Sequence, residues 1–311
     1  MEKELILEIG TEEIPALFLE KAREDLGNIL SRELRDKSIE FEGMEILYTP
    51  RRLSAKVSGV ERKQKDRTTE NFGPPIRIAY DESGNPTKAA LGFARSQKVD
   101  VGELSISKRD NGEFLCLRKT IKGRKTSSVL KEILPEAISS VSFRKSMRWG
   151  NGKLTFARPI RWITALYDGK TVKFSLENIK SSNRSFGHRF TSPKPFLVTS
   201  WGNYLKTLER NNVIANPEKR KETIRRDTEV AAKKIGGTIQ EDPQLLETVV
   251  NLVEYPTVLV GEFEKKYLRL PEEVLISVMK NHQKYFPVYS EKTGKLLPRF
   301  IFVCGTPVKN K

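Results

Sequence analysis

Four elements packed into the first sixty residues constrain this chain most. "ELILEIG" (Glu4 to Gly10) is a short apolar run that Gly10 ends, the pattern of a strand. Behind it, Leu19, Ala22, Leu26 and Leu30 recur at helical spacing and give one core-facing stripe. Thr11 is the expected N-cap, Glu12 and Glu13 are the expected first-turn acids, and Pro15 sits near the start. "MEILY" and "RLSAKVSGV" follow as strands. In the second, Leu53, Ala55 and Val57 alternate with Ser54, Lys56 and Ser58, which predicts one buried and one wet face. A β-α-β-β run buries its helix stripe by layering it on the strands, so the expected class is α+β, continued by further mixed α/β modules.

The rest of the chain is punctuated by turn and cap residues. "ERKQKDRTTENFGPP" (Glu61 to Pro75) reads as a charged loop or linker. Asn85 and Pro86 are expected to open a helix. Asn111-Gly112 and Asp168-Gly169 each predict a hairpin, because such pairs tolerate positive φ. Between them Val129, Ile133, Ala137 and Val141 mark a helix that contains Pro135. Asn216-Pro217 and Asp242-Pro243 start two more helices, and Gly236 closes the first of them. Ile224, Thr228, Ala231 and Ile235 are its expected inner face. The strand "YPTVLVGEF", the helix "LPEEVLISVMKNHQKYF" and the strand "RFIFVCG" come last.

At 311 residues, the chain has length for two domains or three. Its 56 lysines and arginines outnumber its 40 acids, for a net charge of +16. Nucleic acid is the commonest polyanion that fits such a surplus, with an anionic membrane surface next. Two cysteines are too few for a disulfide framework and suit a reducing compartment. The acidic N-terminus is unlike a signal peptide, and no apolar run approaches the ~18 residues of a membrane span. The expectation is a cytoplasmic protein with no membrane partner.

Catalytic signatures are missing from the sequence: no phosphate-binding Gly-rich loop, no Gly-x-Ser-x-Gly elbow, no Cys-x-x-Cys and no His-Glu-x-x-His. With only two histidines a zinc site would lean on carboxylates. Glu8, Glu12 and Glu13 read either as metal-binding acids or, the plainer alternative, as a strand end and a helix first turn. No catalytic or metal-ligating residue is assigned.

Three basic and aromatic clusters are the candidates for RNA contact. In "FRKSMRWGNGKLTFARPIRW", Arg144, Lys145, Arg148 and Arg158 flank Gly150-Asn151-Gly152, and arginine forks suit phosphate oxygens. Trp162 and Ile160 are expected in the core of a strand. Around "SFGHRF", Arg184, His188 and Arg189 either meet phosphates beside stacking rings, or His188 is a satisfied buried residue and Phe186 and Phe190 are core anchors. In "MKNHQKYFPV", Lys280, His282 and Lys284 either contact RNA or decorate a solvated helix end.

Several long stretches carry a family likeness. "LILEIGTEEIPA", "FGPPIRIAYDESGNPTKAALGFAR", "MRWGNGKLTFARPIRWITALYDGK", "SFGHRF" and "VEYPTVLVGEFEKKYLRLPEEVLISVMKNHQKYFPV" resemble, in order, the β subunit of the bacterial heterotetrameric glycyl-tRNA synthetase. The resemblance implies a tRNA-binding and assembly part of an α2β2 ligase whose α subunit uses ATP, Mg2+ and glycine. No cofactor is then bound by this chain, and its partners are the α subunit and tRNA(Gly). It also implies two regions: 1–177, similar in part to body and tail modules of CCA-adding enzymes, and 178–311, similar to the B3/B4 module of the phenylalanyl-tRNA synthetase β subunit. The family's HD-like and anticodon-binding domains are expected to lie outside this sequence. A hydrolytic editing-type module and a pure subunit-interface scaffold are the alternatives. Glycine's size weakens the first, because larger amino acids are rejected sterically.

Overall fold

The computed structural model describes residues 3–109, 112–149 and 151–308. Alternate positions of the strand Leu5–Thr11 serve two cores. Leu5, Leu7 and Ile9 pack with the stripe Leu19, Ala22, Leu26 and Leu30 of helix Ala16–Asp36 and with Val129, Ile133 and Ala137 of helix Thr126–Ser140. Ile6 joins Leu166, Trp201, Tyr204 and Leu208 on the other face, beside helix Trp201–Arg210. Burial on both faces accounts for a nearly continuous apolar run. Glu8 is its exception.

This strand is central to the principal sheet. The order is Ser175–Leu176, Ile179–Ser182, Ile160–Tyr167, Leu5–Thr11, Arg52–Ser58, Gly43–Thr49, and Lys170–Thr171 also pairs with Ile160–Tyr167. Ile179–Ser182 runs parallel to Ile160–Tyr167, and the other pairs are antiparallel. Trp162 and Ile160 are buried in their strand, as expected. The α+β class and the β-α-β-β start hold. The wet face does not: Ser54 is fully buried, because the second apolar layer covers that side of the sheet. Thr11 is no cap either. It ends the strand, Glu12 and Glu13 follow it, and the helix starts only at Ala16, behind Pro15.

A second sheet runs Gly237–Thr238, Phe286–Ser290, Leu296–Cys304, Thr257–Glu262, all antiparallel. Helices Pro217–Lys234 and Pro243–Val250 share its core through Ile224, Ala232, Val249, Val288 and Ile301. Asn216 accepts from the amides of Glu218 and Lys219, Asp242 accepts from that of Leu245, and Gly236 has φ +71°. The caps read from the sequence are therefore in place. The inner face is rotated slightly: Arg220, Ile224, Thr228 and Ala232 are the buried positions, with Ala231 and Ile235 at the margin. The helix after Pro271 is shorter than its pattern. It spans Glu272–Ser277 and passes into a wider, π-type winding over Val278–Gln283.

The described residues form two compact units, one within 3–62 and 127–308, the other within 63–126. Asn178 is not at that division. It lies in the turn between Ser175–Leu176 and Ile179–Ser182. The smaller unit holds a three-stranded antiparallel sheet, Arg67–Pro75, Gly112–Ile121, Ser105–Arg109, with helix Lys88–Gln97 and a core of Ala79, Ala90 and Leu115. Much of the expected loop 61–75 is thus a strand. Cross-strand pairing outweighs its polarity: Arg118 meets Glu70 at 2.6 Å, and the Arg109 guanidinium lies 3.5 Å from the Phe72 ring centroid. Asn85 does not cap a helix, because its amide bonds to Asp81 Oδ1 in a tight turn and Thr87 precedes the helix instead. The hairpin expected at Asn111-Gly112 forms, and Asn111 lies outside the described residues. The Asp168-Gly169 turn has φ of +50° and +72°.

Candidate nucleic-acid interface

The alternation that buries Ile6 also buries Glu8, whose carboxylate gathers five donors. Oε1 accepts from Arg52 Nη1 (3.1 Å), Ser185 Oγ (2.9 Å) and the Tyr204 hydroxyl (2.8 Å). Oε2 accepts from Trp162 Nε1 (3.0 Å) and Thr164 Oγ1 (2.8 Å). Ser54 Oγ lies 2.7 Å from the Tyr204 hydroxyl. Arg52 continues the network, with Nε on Glu254 Oε1 (3.0 Å) and Nη1 on the Phe186 carbonyl (2.9 Å). Thr49 Oγ1 donates to the same Glu254 oxygen at 2.6 Å. Neither Arg52 nor Glu8 touches solvent. Burial works against the Arg52 cation, but Glu254 and Glu8 outweigh it and raise its pKa. Burial opposes ionised Glu254 too, yet Arg52 and the Thr49 hydrogen bond hold its pKa below the ordinary carboxylate value. Burial and then the Glu8 charge push the Tyr204 hydroxyl well up. A group this enclosed performs no chemistry on a substrate. It positions what surrounds it.

What it positions is a cleft of arginines. Ser185 and Phe186, both tied to the network, lead into Gly187, His188 and Arg189. Trp162, tied through its indole nitrogen, packs on Phe186 with ring centroids 4.9 Å apart. Gly10 makes room for that indole: a β-carbon there would fall on the Trp162 ring. Arg51, Arg161, Trp162, Phe186, Gly187, Arg189 and Pro193 line a cavity of about 250 Å³. Arg161 Nε lies 3.4 Å, Arg189 Nη1 3.7 Å and Arg51 Nη2 3.9 Å from Glu12 carboxylate oxygens. Burial lowers the Arg51 pKa, and the neighbouring Arg189 and Arg52 charges act in the same direction, against Glu254 and Glu12. Beyond Arg189, Phe190 stands 71% exposed with that guanidinium 5.0 Å from its ring centroid.

The predicted site residues divide by environment. Arg144, Lys145 and Arg148 are exposed and form no ion pair among the described residues, with Arg148 in the short pairing Met147–Arg148 to Thr155–Phe156. Gly150, in the turn they flank, lies outside the described residues. Arg158 is half-buried, and its Nε donates to the Glu13 carbonyl at 3.1 Å. Arg189 meets the Glu13 carboxylate at 3.3 Å, so Glu13 joins two of the clusters. Arg184 is exposed, and its carbonyl lies 2.7 Å from Thr164 Oγ1. His188 is the correction. It is 4% exposed, with Nε2 2.8 Å from the Gly305 carbonyl and its backbone amide on Asn211, so it has no free edge for a phosphate. Phe190 reverses the other way: it is no core anchor. Lys280 is engaged at 2.9 Å by Asp242, His282 is exposed, and Lys284 Nζ donates to the Asn281 carbonyl. Arg51 went unread although "RRL" stands in the open, and the roles of Glu8, Arg52 and Glu254 depend on residues up to 205 positions apart. Among the described residues no group of three or more His, Cys, Asp or Glu side chains gathers as for a metal ion, and no helix is long and apolar enough to cross a membrane.

Comparison with known proteins decides the affiliation. Residues 5–311 match the family model described as glycyl-tRNA synthetase beta subunit. The chain belongs to that family. Curated members named glycine–tRNA ligase beta subunit are similar along 98% of this chain: 48% identical in Syntrophus aciditrophicus, 46% in Syntrophotalea carbinolica and 45% in Geobacter sulfurreducens. The chain spans 44% of the length of each of these relatives. The likeness carried by the five quoted stretches is therefore borne out for this glycyl-tRNA synthetase beta subunit family member.

Proposed function

We propose that this chain contributes tRNA binding and subunit assembly to a glycine–tRNA ligase, which attaches glycine to tRNA(Gly) at the expense of ATP. The activation chemistry, with its ATP and Mg2+, belongs in this reading to a separate α subunit, and the setting is the cytoplasm. The observation that carries it is the run of exposed cations at Arg144, Lys145 and Arg148, without an ion-pair partner among the described residues, on a chain with a net charge of +16. Cations without carboxylate partners release counterions when they meet phosphates, and that release drives binding.

A second feature supports the assembly part. Tyr267, Leu270, Val274 and Val278 are each 43–49% exposed and, with Phe263, Met279 and Phe300, line an apolar groove of about 270 Å³. Exposed apolar surface of this kind suits a protein partner.

The test is tRNA affinity of this chain across a salt series. Arg144→Ala and Arg148→Ala should each weaken binding for all tRNA sequences alike and lower the log–log salt slope by about 0.7–0.9. Val274→Glu should leave tRNA affinity alone and weaken capture of the α subunit. Arginine variants with unchanged affinity and slope would sink the reading for this stretch.

A further inference from the structure

We propose that the Arg51–Arg161–Arg189 cleft with its neighbour Phe190 is a binding site for one unpaired nucleotide of RNA, phosphate on the arginines and base on the ring. The inference rests on the reading of this chain as an RNA-binding protein and adds to it a second, differently built site.

Charge comes first. Three guanidinium groups face one shared carboxylate, Glu12, at 3.4–3.9 Å, all longer than the ~2.7–2.9 Å of a good charge-assisted hydrogen bond. Among the described residues the Glu13 carboxylate pairs with Arg189 and with neither of the other two. Arg51 is 9% exposed, and its Nε has no hydrogen-bond partner among the described residues. Arg51 lines the cavity together with Arg161 and Arg189, and guanidinium forks suit the oxygens of an incoming phosphate. Size comes next. At roughly 30 Å³ per water-sized group, about 250 Å³ holds more than a lone phosphate occupies. Two of the cavity walls are the Trp162 and Phe186 rings.

Phe190 decides between ligands. A carboxylate-rich peptide would use the arginines and leave a 71% exposed aromatic ring idle. A nucleotide uses both, since every base has a face for stacking. A duplex keeps its bases stacked internally, so the nucleotide is an unpaired one. The site is also rigidly backed: Trp162 and Ser185 are fastened to Glu8, and the Phe186 carbonyl to Arg52.

The experiment is fluorescence anisotropy of this chain with a labelled single-stranded hexaadenylate, competed by a short RNA duplex, a hexaglutamate peptide and inorganic phosphate. Phe190→Ala should weaken the hexamer by roughly 5- to 150-fold with no change in melting temperature, which is the range for losing one stacked base. The double variant Arg161→Ala/Arg189→Ala should lower its salt slope by about 0.7, the value for one phosphate. Duplex, peptide and phosphate should compete poorly. An unchanged affinity for Phe190→Ala overturns the proposal, as does a duplex or peptide that binds as tightly as the hexamer. If tRNA binds through Arg144 and Arg148 while the hexamer does not bind, this inference falls and the wider RNA reading stands. If neither RNA binds, both fall.

Discussion

Glu8 shows how much one position can organise. Five protein donors converge on its carboxylate. Removing one partner of such a buried ionic group leaves the other uncompensated, so Glu8→Ala should destabilise the chain by about 3–5 kcal/mol in thermal or urea unfolding. Glu254 adds a pH dependence. Its folded pKa is depressed, so its stabilisation is present above the unfolded value and is lost as pH falls through the lower folded one. Melting temperature measured from pH 7 to pH 3 should therefore fall on the acid side, and Glu254→Gln should flatten that limb. Little of this was legible in the sequence. An acid inside an apolar strand fitted a strand end equally well, because its donors come from residues 52, 162, 164, 185 and 204 and only the folded topology names them. Arg220 was hidden in the same way. It looks like one more surface cation on a basic helix, yet it is fully buried, donates to the carbonyls of Tyr48, Ile214, Ala215 and Val250, and is pushed by burial down to about 10.

At the scale of elements, what is local was readable. Asn216 and Asp242 cap their helices because a side-chain oxygen two or three residues from an orphan amide needs no tertiary help. Asn216→Ala should cost about 1 kcal/mol, read as a shift of the urea midpoint with an unchanged slope. The same rule misled at Asn85, where Asp81 competes for the amide of the capping candidate itself. The strand Arg67–Pro75 was missed because its stability lies in pairing with residues 114–121, and not in its own pattern. Ser54 was given to solvent because alternation shows that a strand has two faces, but not what covers the second one. Of the candidate site, the basic stretches were visible as charge. Their sorting into exposed Arg144, engaged Lys280 and buried His188 depends on neighbours distant in sequence.

For the whole molecule, the Glu8–Arg52–Glu254 network ties the first strand to a carboxylate some two hundred residues later, with Thr49 and Glu254 separated by 205 positions. A version of the chain ended after Val250 keeps the principal sheet's strands but takes the Glu254 carboxylate from Arg52, leaving it Glu8 and the Phe186 carbonyl. It should lose cooperative melting and near-UV dichroism, whereas Glu254→Gln in the untruncated 311-residue chain should keep both at a lower melting temperature. A cooperative truncated chain would contradict this account. The consequence reaches protein synthesis. A ribosome adding about 5–20 residues per second needs roughly 10–40 s to travel from Arg52 to Glu254. Throughout that interval the emerging chain holds the Arg52 guanidinium with one of its two buried carboxylate partners, Glu8, and without the other. Its strands can pair early, and Glu8 has its donors once Tyr204 has appeared, but Arg52 and Thr49 wait for Glu254, so the buried network is completed late in synthesis.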